Sequence, residues 1–415
     1  MKKIALVLAV MMLLSVCASA FADQVTVRFF HRWPNEPKLS YLNGLIAEFE
    51  AENPDIKIET DQVLNDAYKE KIRVLVSTDD IPDVFMSWSG SFATNLVKSG
   101  RVQEWDALLE ADPEFKNSLV ESQLPPFNIN GKQYGIPWSM DGKAFFYNKD
   151  VFDRNGVAYP TADWTWDDAI AAAKQLTVKG DNGYDSFGFN AQSWTYAALS
   201  YFTSKGLDIV DPECTTVEGY LNSPEFAAAL VEYAGFSTGD DRISPDAADQ
   251  DTFGGTSAMF INGKLAMTIS GAWDKGTFEN AGVNYGTCVI PGNHEGYLCA
   301  SAFAISSNCK NPEAAWEAIK ALTGTECSEL RFQYTAALPT VDSLLEAMKA
   351  DYGENNQGIL DSLNYAIQPV GLRGKLGNPA VAAFDTAFER VRFNDGSIEE
   401  ILADAVAEVA EKMAE

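Results

Sequence analysis

Three tryptophans follow directly after segments that the hydrophobic pattern predicts to be strands. Trp33 follows the strand around residue 29, Trp88 follows residues 84–86, and Trp273 follows residues 267–270. Ligands of open α/β sheets bind beyond the carboxyl ends of the strands, and pockets favour the interfaces between domains. These loops therefore predict a binding site lined by indole rings, with packing inside the loops as the alternative.

The chemistry of such loops suits a ring-shaped molecule that carries hydroxyl groups. An indole offers a flat, weakly negative face that can stack on the apolar C–H face of a pyranose. The same loops carry Arg32, Ser89 and Asp274, which can form hydrogen bonds with the hydroxyl rim. A polar group buried against a hydroxyl penalises ligands that lack it. We therefore expect a small neutral ligand, with a sugar or short oligosaccharide fitting best.

Residues for most kinds of enzyme chemistry are scarce in this sequence. His31 and His294 are the only histidines, and no serine or cysteine stands in a nucleophile motif or phosphate-binding loop. Residues 181–185 resemble part of a calcium loop but lack its final glutamate. We expect no enzyme activity, no metal and no cofactor. A secreted glycosidase remains the alternative, since it needs only two carboxylates roughly 5–10 Å apart.

The elements that would position these loops alternate between strands and helices. A strand near residue 27 leads to a helix with apolar residues 42, 45, 46 and 49 on one face, and a second strand begins at Ile56. This order predicts a β-α-β unit and a parallel sheet covered by helices. Pro312 is expected to open a later helix that ends at Gly324, and Ser397 with Glu400 forms a predicted capping box.

The N-terminal segment predicts export from the cytoplasm. Lysines at positions 2–3 precede an apolar run over residues 4–16, and small residues lie at 20 and 22. This pattern is typical of a cleavable signal over residues 1–22. The alternative is a lipid anchor at Cys17, for which the preceding valine fits poorly. We expect the mature chain in the periplasm.

The charge and the cysteines restrict the class of protein further. The formal net charge is −28, which disfavours nucleic acid and anionic lipid as partners. The mature chain keeps an odd number of cysteines and has no C-x-x-C motif. A Cys288–Cys299 bridge and buried free thiols both remain open. We expect a monomer.

Five segments, in the same order, resemble the family of extracellular solute-binding proteins of ABC importers that take up sugars, which includes maltose-binding protein. One is the pattern F-x-x-G-K-x-A-M followed by G-x-W over residues 260–273. The other four segments are residues 45–56, 81–84, 134–152 and 312–316.

This resemblance implies the fold and the domain organisation. It implies an α/β, two-lobed periplasmic-binding-protein fold of type II, in which each lobe is a mixed, mainly parallel sheet flanked by helices. Hinge strands would join the lobes. By this analogy the first lobe holds residues 23–139 plus 298–337. The second lobe would hold residues 140–297 plus 338–415.

The resemblance also adds three candidate contacts and a partner. Asp141 lies where related proteins place an acidic sugar contact, and Trp194 lies near their aromatic contact in the second lobe. Arg373 lies where the last segment of the family reaches the cleft. A solvated carboxylate and a surface salt bridge are the alternatives for Asp141 and Arg373. The permease subunits of an ABC transporter would be the protein partner.

Other tryptophans are expected to have structural roles. Trp316 lies on the apolar face of a helix and Trp105 precedes a helix, so both are predicted to pack in the interior. Trp166 matches the tryptophan at a helix start in the family, and this resemblance implies a structural role. Another cargo, such as a glycerol phosphodiester or a polyamine, stays open. Few lysines, arginines and carboxylates occur in the loops after strands, and this favours a neutral sugar.

Overall fold

The computed structural model describes most of the chain. The export signal predicted for residues 1–22 and the alternative anchor at Cys17 lie outside the described residues. Within the described part, no helix combines the length and apolar character needed to cross a membrane. The described residues are 24–34, 38–119, 124–181, 183–191, 195–297, 299–324, 352–367, 370 and 376–414.

Short strands alternate with helices along the described chain. The strands are β1 (Val25–His31), β2 (Ile56–Gln62), β3 (Val84–Trp88), β4 (Asn128–Ile129), β5 (Lys132–Gln133), β6 (Ile136–Asp141), β7 (Lys143–Asn148), β8 (Val178–Gly180), β9 (Gly183–Phe189), β10 (Leu265–Gly271), β11 (Tyr285–Cys288), β12 (Gly296–Tyr297), β13 (Cys299–Ile305) and β14 (Ala366–Ile367).

The helices cover the sheets, and in the described part of the chain short 3-10 turns lie at Pro125–Phe127, Glu354–Asn356 and Leu363–Tyr365. The helices are α1 (Lys38–Glu52), α2 (Asn65–Val76), α3 (Ser91–Lys98), α4 (Asp106–Ala111), α5 (Pro113–Ser118), α6 (Lys149–Asn155), α7 (Trp166–Leu176), α8 (Thr195–Ser204), α9 (Pro224–Gly235), α10 (Ala247–Phe253), α11 (Thr256–Ile261), α12 (Ala272–Asn280), α13 (Pro312–Thr323), α14 (Gln357–Ser362), α15 (Gly377–Arg392) and α16 (Ile398–Ala414).

The first sheet has the strand order β2-β1-β3-β13-β6. β1 runs parallel to β2 and β3, as the predicted β-α-β unit requires. Helix α1 buries Leu42, Leu45, Ile46 and Phe49 against this sheet, so the predicted apolar face is confirmed. Fully burying each such side chain contributes about 1.5–3 kcal/mol. Helix and strand therefore stabilise each other through one apolar face.

The second sheet has the order β11-β7-β10-β9-β8. β10, which ends at the predicted Trp273 loop, lies in its centre between β7 and β9. β9 and β10 are parallel, whereas β7 runs antiparallel to both β10 and β11. The α/β class and the mixed sheets are confirmed. Parallel pairs do not predominate, however, because strands that enter from distant parts of the chain add antiparallel neighbours in both sheets.

Each sheet has its own hydrophobic core. In the first core, the indoles of Trp105 and Trp316 meet edge to face with ring centres 5.5 Å apart. In the second core, Trp166 packs edge to face against Tyr201 at 5.1 Å. The structural roles predicted for these three tryptophans are confirmed. The boundaries proposed for the two lobes remain predictions.

The predicted helix ends are also present. Pro312 opens α13, and Gly324 caps its C-terminus. The Glu400 N–H donates to Ser397 Oγ at 3.2 Å, while the Ser397 N–H donates to Glu400 Oε2 at 3.1 Å. This reciprocal pair is the predicted capping box of α16.

The described cysteines include free thiols at Cys288 and Cys309. Burial raises the pKa of Cys288 to about 12. Two alternatives were open for Cys288, a disulfide with Cys299 and a buried free thiol. Because Cys288 is a free thiol, the disulfide alternative is wrong. At neutral pH this thiol is protonated and therefore a poor nucleophile.

Candidate functional site

The loop between β10 and α12 holds Trp273 at the edge of the second sheet. Gly271 ends β10 in an extended conformation and serves as the N-cap of α12, so the chain turns from strand to helix without a longer loop. The Trp273 side chain folds back over this turn, and its six-membered ring occupies the space where a side chain at position 271 would begin. The glycine in the G-x-W pattern therefore gives room to the indole.

A cavity of about 290 Å³ opens beside the Trp273 ring. Ile269 and Phe278 form an apolar part of the cavity wall, and the Trp273 indole forms a flat aromatic part. This volume lies close to the lower end of the range for small-molecule sites. Its polar lining residues are Asn190, Gln250, Thr256, Ser257, Thr268, Ser270 and Asp274.

Among the described residues that line this cavity, Asp274 carries the one ionisable side chain. Its carboxylate accepts a hydrogen bond of 2.5 Å from the Ser270 hydroxyl. Burial raises the pKa of the Asp274 carboxyl, while the Ser270 hydrogen bond and the positive charge of Lys38 oppose that rise. The carboxylate lies in the first turn of α12, where a negative charge is favoured by the helix dipole.

On the first sheet, Trp88 is held by aromatic and cationic neighbours. The ring is half-buried and meets Tyr68 and Phe92 edge to face, at 5.5 Å and 5.1 Å. The Arg32 guanidinium lies 5.2 Å from the Trp88 ring centre, and the Lys69 ammonium lies 5.5 Å from it. These cation–π contacts bring two predicted site residues, Arg32 and Trp88, together. Ser89 follows, half-buried, at the end of β3.

Trp33 is more enclosed than the loop position indicated. It is 6% exposed and belongs to the first hydrophobic core. Its ring centre lies 4.5 Å from that of Trp138, and the backbone N–H of Trp33 donates to His31 Nδ1 at 3.2 Å. Burial lowers the pKa of His31 to about 4, so this histidine is neutral at pH 7. Packing accounts for the position of Trp33, and ligand contact there stays a prediction.

Two observations indicate that segments of the first sheet lie near helices of the second. An added side chain at Gly90, just after β3, would begin 3.6 Å from the Tyr196 hydroxyl on α8. Lys38, the first residue of α1, acts electrostatically on Asp274 of α12. Gly90 and Lys38 lie near Trp88 and Trp33 in the sequence, so the segments that carry these predicted residues approach helices α8 and α12 of the second sheet.

The described residues do not test three of the predicted ligand contacts. Trp194 and Arg373 lie outside the described residues. Asp141 ends β6 and pairs with Cys299 across the first sheet, but its side chain lies outside the described part. All three stay predictions.

The cavity includes polar residues that the sequence did not bring forward, above all Asn190, Gln250 and Thr256. Asn190 is the first residue after β9, in the same position relative to its strand as the tryptophans are to theirs. Asn190 would have been predicted as a site residue if β9 had been recognised, because ligands bind beyond the carboxyl ends of the strands. Gln250 and Thr256 lie on short helices, and no strand end marks them.

Replacing Gly271 by alanine is expected to weaken ligand binding about tenfold, because the added methyl group overlaps the indole ring and must displace it. Stability should change little, since the clash is with a movable side chain and the backbone conformation is accessible to alanine. Calorimetric titration and thermal unfolding of the variant measure the two effects.

Gly44→Ala is the matched control, because no atom lies within 4 Å of the position its methyl group would take. Unchanged affinity in Gly271→Ala would mean that the indole can leave the turn without consequence for the ligand.

The sequence matches the family model described as bacterial extracellular solute-binding protein over residues 33–326. A binding protein of Brucella abortus is 26% identical over 324 residues, which cover 76% of this chain and 75% of that protein. The galactooligosaccharide-binding protein of Bacillus subtilis is 24% identical over 329 residues, covering 75% and 72%.

Solved structures show the same fold. The ABC substrate-binding protein from Listeria monocytogenes in complex with cycloalternan superposes with a TM-score of 0.81 and 26% identity, covering 94% of this chain and 100% of that one. A solute-binding protein from Thermotoga lettingae bound with α-D-tagatose gives a TM-score of 0.80 at 20% identity, covering 94% and 100%. The two-lobed fold implied by the resemblance is confirmed.

Proposed function

We propose that this chain, which belongs to the bacterial extracellular solute-binding protein family, is the substrate-binding subunit of an ABC importer and binds a neutral sugar or oligosaccharide. The observation that carries the proposal is the cavity beside Trp273. It joins a flat indole wall to a lining of amides, hydroxyls and one carboxylate. That combination matches the apolar face and hydroxyl rim of a pyranose.

The ligands of similar proteins support a carbohydrate. The Listeria and Thermotoga proteins carry cycloalternan and tagatose, and the Bacillus relative is named for galactooligosaccharides. These ligands are neutral, and the described lining of the cavity contains no lysine or arginine. An anionic cargo such as a glycerol phosphodiester is therefore disfavoured.

The mechanism that we propose is closure of the two lobes around the ligand. Residues 23–139 with 298–337 would form one lobe, and residues 140–297 with 338–415 the other. A sugar bound at the Trp273 cavity could also reach Arg32, Trp88 and Ser89 from the first lobe. A ligand that contacts both lobes stabilises the closed arrangement by its differential affinity for that state.

The closed form would then dock on permease subunits in the membrane, with the chain acting as a periplasmic monomer. ATP hydrolysis would come from a separate subunit. The sequence has no phosphate-binding loop, in keeping with that division. We further propose that the chain has no enzyme activity, since its relatives are solute-binding proteins.

Thermal-shift screening against neutral mono- and oligosaccharides, followed by calorimetric titration of the hits, tests this function. We expect 1:1 binding with a dissociation constant on the order of 1 μM, which corresponds to about −8 kcal/mol. The bound sugar should be recovered unchanged after prolonged incubation. Steady release of shorter products would establish a glycosidase instead, and no binding to any neutral sugar would contradict the proposal.

A further inference from the structure

Some polar atoms that line the cavity have hydrogen-bond partners within the protein, whereas at least one buried acceptor has none in the described part of the chain. Asn190 is 2% exposed, and its Oδ1 has no hydrogen-bond partner among the described residues. Its amide nitrogen donates to Thr256 Oγ1 at 3.4 Å, and the Thr256 hydroxyl can donate to Gln250 Oε1 at the same distance. The Ser270 hydroxyl is used by Asp274. The Asn190 amide nitrogen and the Thr256 and Ser270 hydroxyls are therefore engaged within the wall, while Asn190 Oδ1 is left as an acceptor without a partner in the described part of the chain.

The carboxylate adds further acceptor capacity. An ionised carboxylate can accept about four hydrogen bonds, and Asp274 receives one from a side chain, through Oδ2. A buried acceptor without a partner keeps the full cost of losing its hydration. A ligand that brings hydroxyl donors to Asn190 and Asp274 removes this cost, whereas a ligand that brings only acceptors does not.

We propose that Asp274 and Asn190 form an acceptor pair that selects a sugar unit with free adjacent hydroxyl groups and rejects sugars that carry a carboxylate. This inference rests on the proposed function and names the substrate class at the same site. Two hydroxyls on neighbouring carbons can donate to the two side chains from one face of the ring. A uronate would place its own negative charge beside Asp274, and close like charges disfavour each other strongly at a poorly solvated site.

The cationic neighbour does not reverse this selection. Lys38 acts on Asp274 from the first sheet, yet it does not line the cavity. The carboxylate therefore sets the local sign of charge, and the chain as a whole carries a formal net charge of −28. Both features oppose an anionic ligand.

The test is calorimetric titration of the wild type and of Asp274→Asn with glucose, galactose, mannose, their disaccharides, glucuronate and galacturonate. The wild type should bind at least one neutral sugar and prefer it to the matching uronate by 100-fold or more. Asp274→Asn should bind the neutral sugar at least tenfold more weakly, because an amide has one acceptor atom in place of two. Its preference over the uronate should fall at least tenfold.

Asn190→Ala is a second variant, on a different element, and should also weaken neutral sugar binding. Asp211→Asn is the control: Asp211 accepts hydrogen bonds from Thr215 and Thr216 in its own loop and does not line the cavity. It should lower thermal stability and leave affinity unchanged.

The outcomes separate the inference from the function on which it rests. Equal neutral-sugar affinity in wild type and Asp274→Asn overturns the acceptor pair but leaves a sugar receptor. An unchanged preference over uronates in the variant does the same. If the wild type binds no neutral sugar, both the inference and the proposed function are overturned.

Discussion

Replacing Trp273 by alanine is expected to weaken sugar binding at least tenfold while the unfolding temperature stays within about 2 °C of the wild type. The indole forms a wall of the cavity and lies over Gly271, outside the hydrophobic cores. Removing it therefore takes an aromatic face from the ligand without opening a hole in the interior. Such rings contribute about 0.5–1.5 kcal/mol beyond their buried area, and a tenfold loss corresponds to about 1.4 kcal/mol.

Calorimetric titration with the best sugar from the screen measures the effect, and Phe393→Ala is the control for loss of an aromatic ring. Phe393 is 75% exposed and follows the last turn of α15, away from the cavity. The control should keep both affinity and stability. A Trp273→Ala protein that binds as tightly as the wild type would remove the indole from the site.

The comparison with Gly271→Ala sharpens this prediction. Both changes remove the ring from its place over the strand end, one by deleting it and one by displacing it. The two variants should therefore lose affinity for the same sugar by similar factors. The double variant should lose little more than either single one, because non-additivity is expected when two changes act on one contact.

Local patterns in the sequence predicted the elements and the interior well. The apolar face of α1, the capping box of α16 and the buried Trp316 follow from spacing alone, because each depends on residues within a few turns of helix. The Trp273 loop was found by the same local logic, as an indole placed directly after an apolar strand.

Features that depend on distant partners were not predictable in the same way. β13 joins the first sheet although some 210 residues separate it from β3, and nothing in its own residues fixes an antiparallel direction. β9 was missed because glycines and an aspartate interrupt its alternation, so Asn190 was missed with it. Trp33 shows the reverse case, since its loop position does not reveal that Trp138 covers it.

The close approach of β9 to α7 leads to the largest expected loss of stability. Gly188 lies on β9, and a side chain there would overlap the backbone of Ala173 in α7. The Gly188 N–H donates to Thr177 Oγ1 at 2.9 Å, so strand and helix are fixed together at this point. Because the neighbour is backbone, it cannot rotate away as the Trp273 ring can.

Gly188→Ala is therefore expected to lower the free energy of unfolding by about 3 kcal/mol, at the upper end of the range for overpacked interiors. The unfolding temperature should fall by roughly 5–10 °C, and denaturant titration measures the free energy directly. Gly44→Ala, which meets no atom within 4 Å, should not destabilise the protein. An unchanged denaturation midpoint in Gly188→Ala would contradict the close packing of α7 on β9.

The same substitution should reach the ligand site, because Asn190 lies two residues beyond Gly188. Pushing α7 away from β9 moves the end of the strand, and with it the buried amide that lines the cavity. We expect Gly188→Ala to weaken sugar binding as well as folding, whereas Trp273→Ala weakens binding alone. A Gly188→Ala protein that is destabilised but binds sugar normally would contradict this coupling. The end of β9 would then be positioned by the hydrogen bond between Asn190 and Thr256 in the cavity wall, and not by α7.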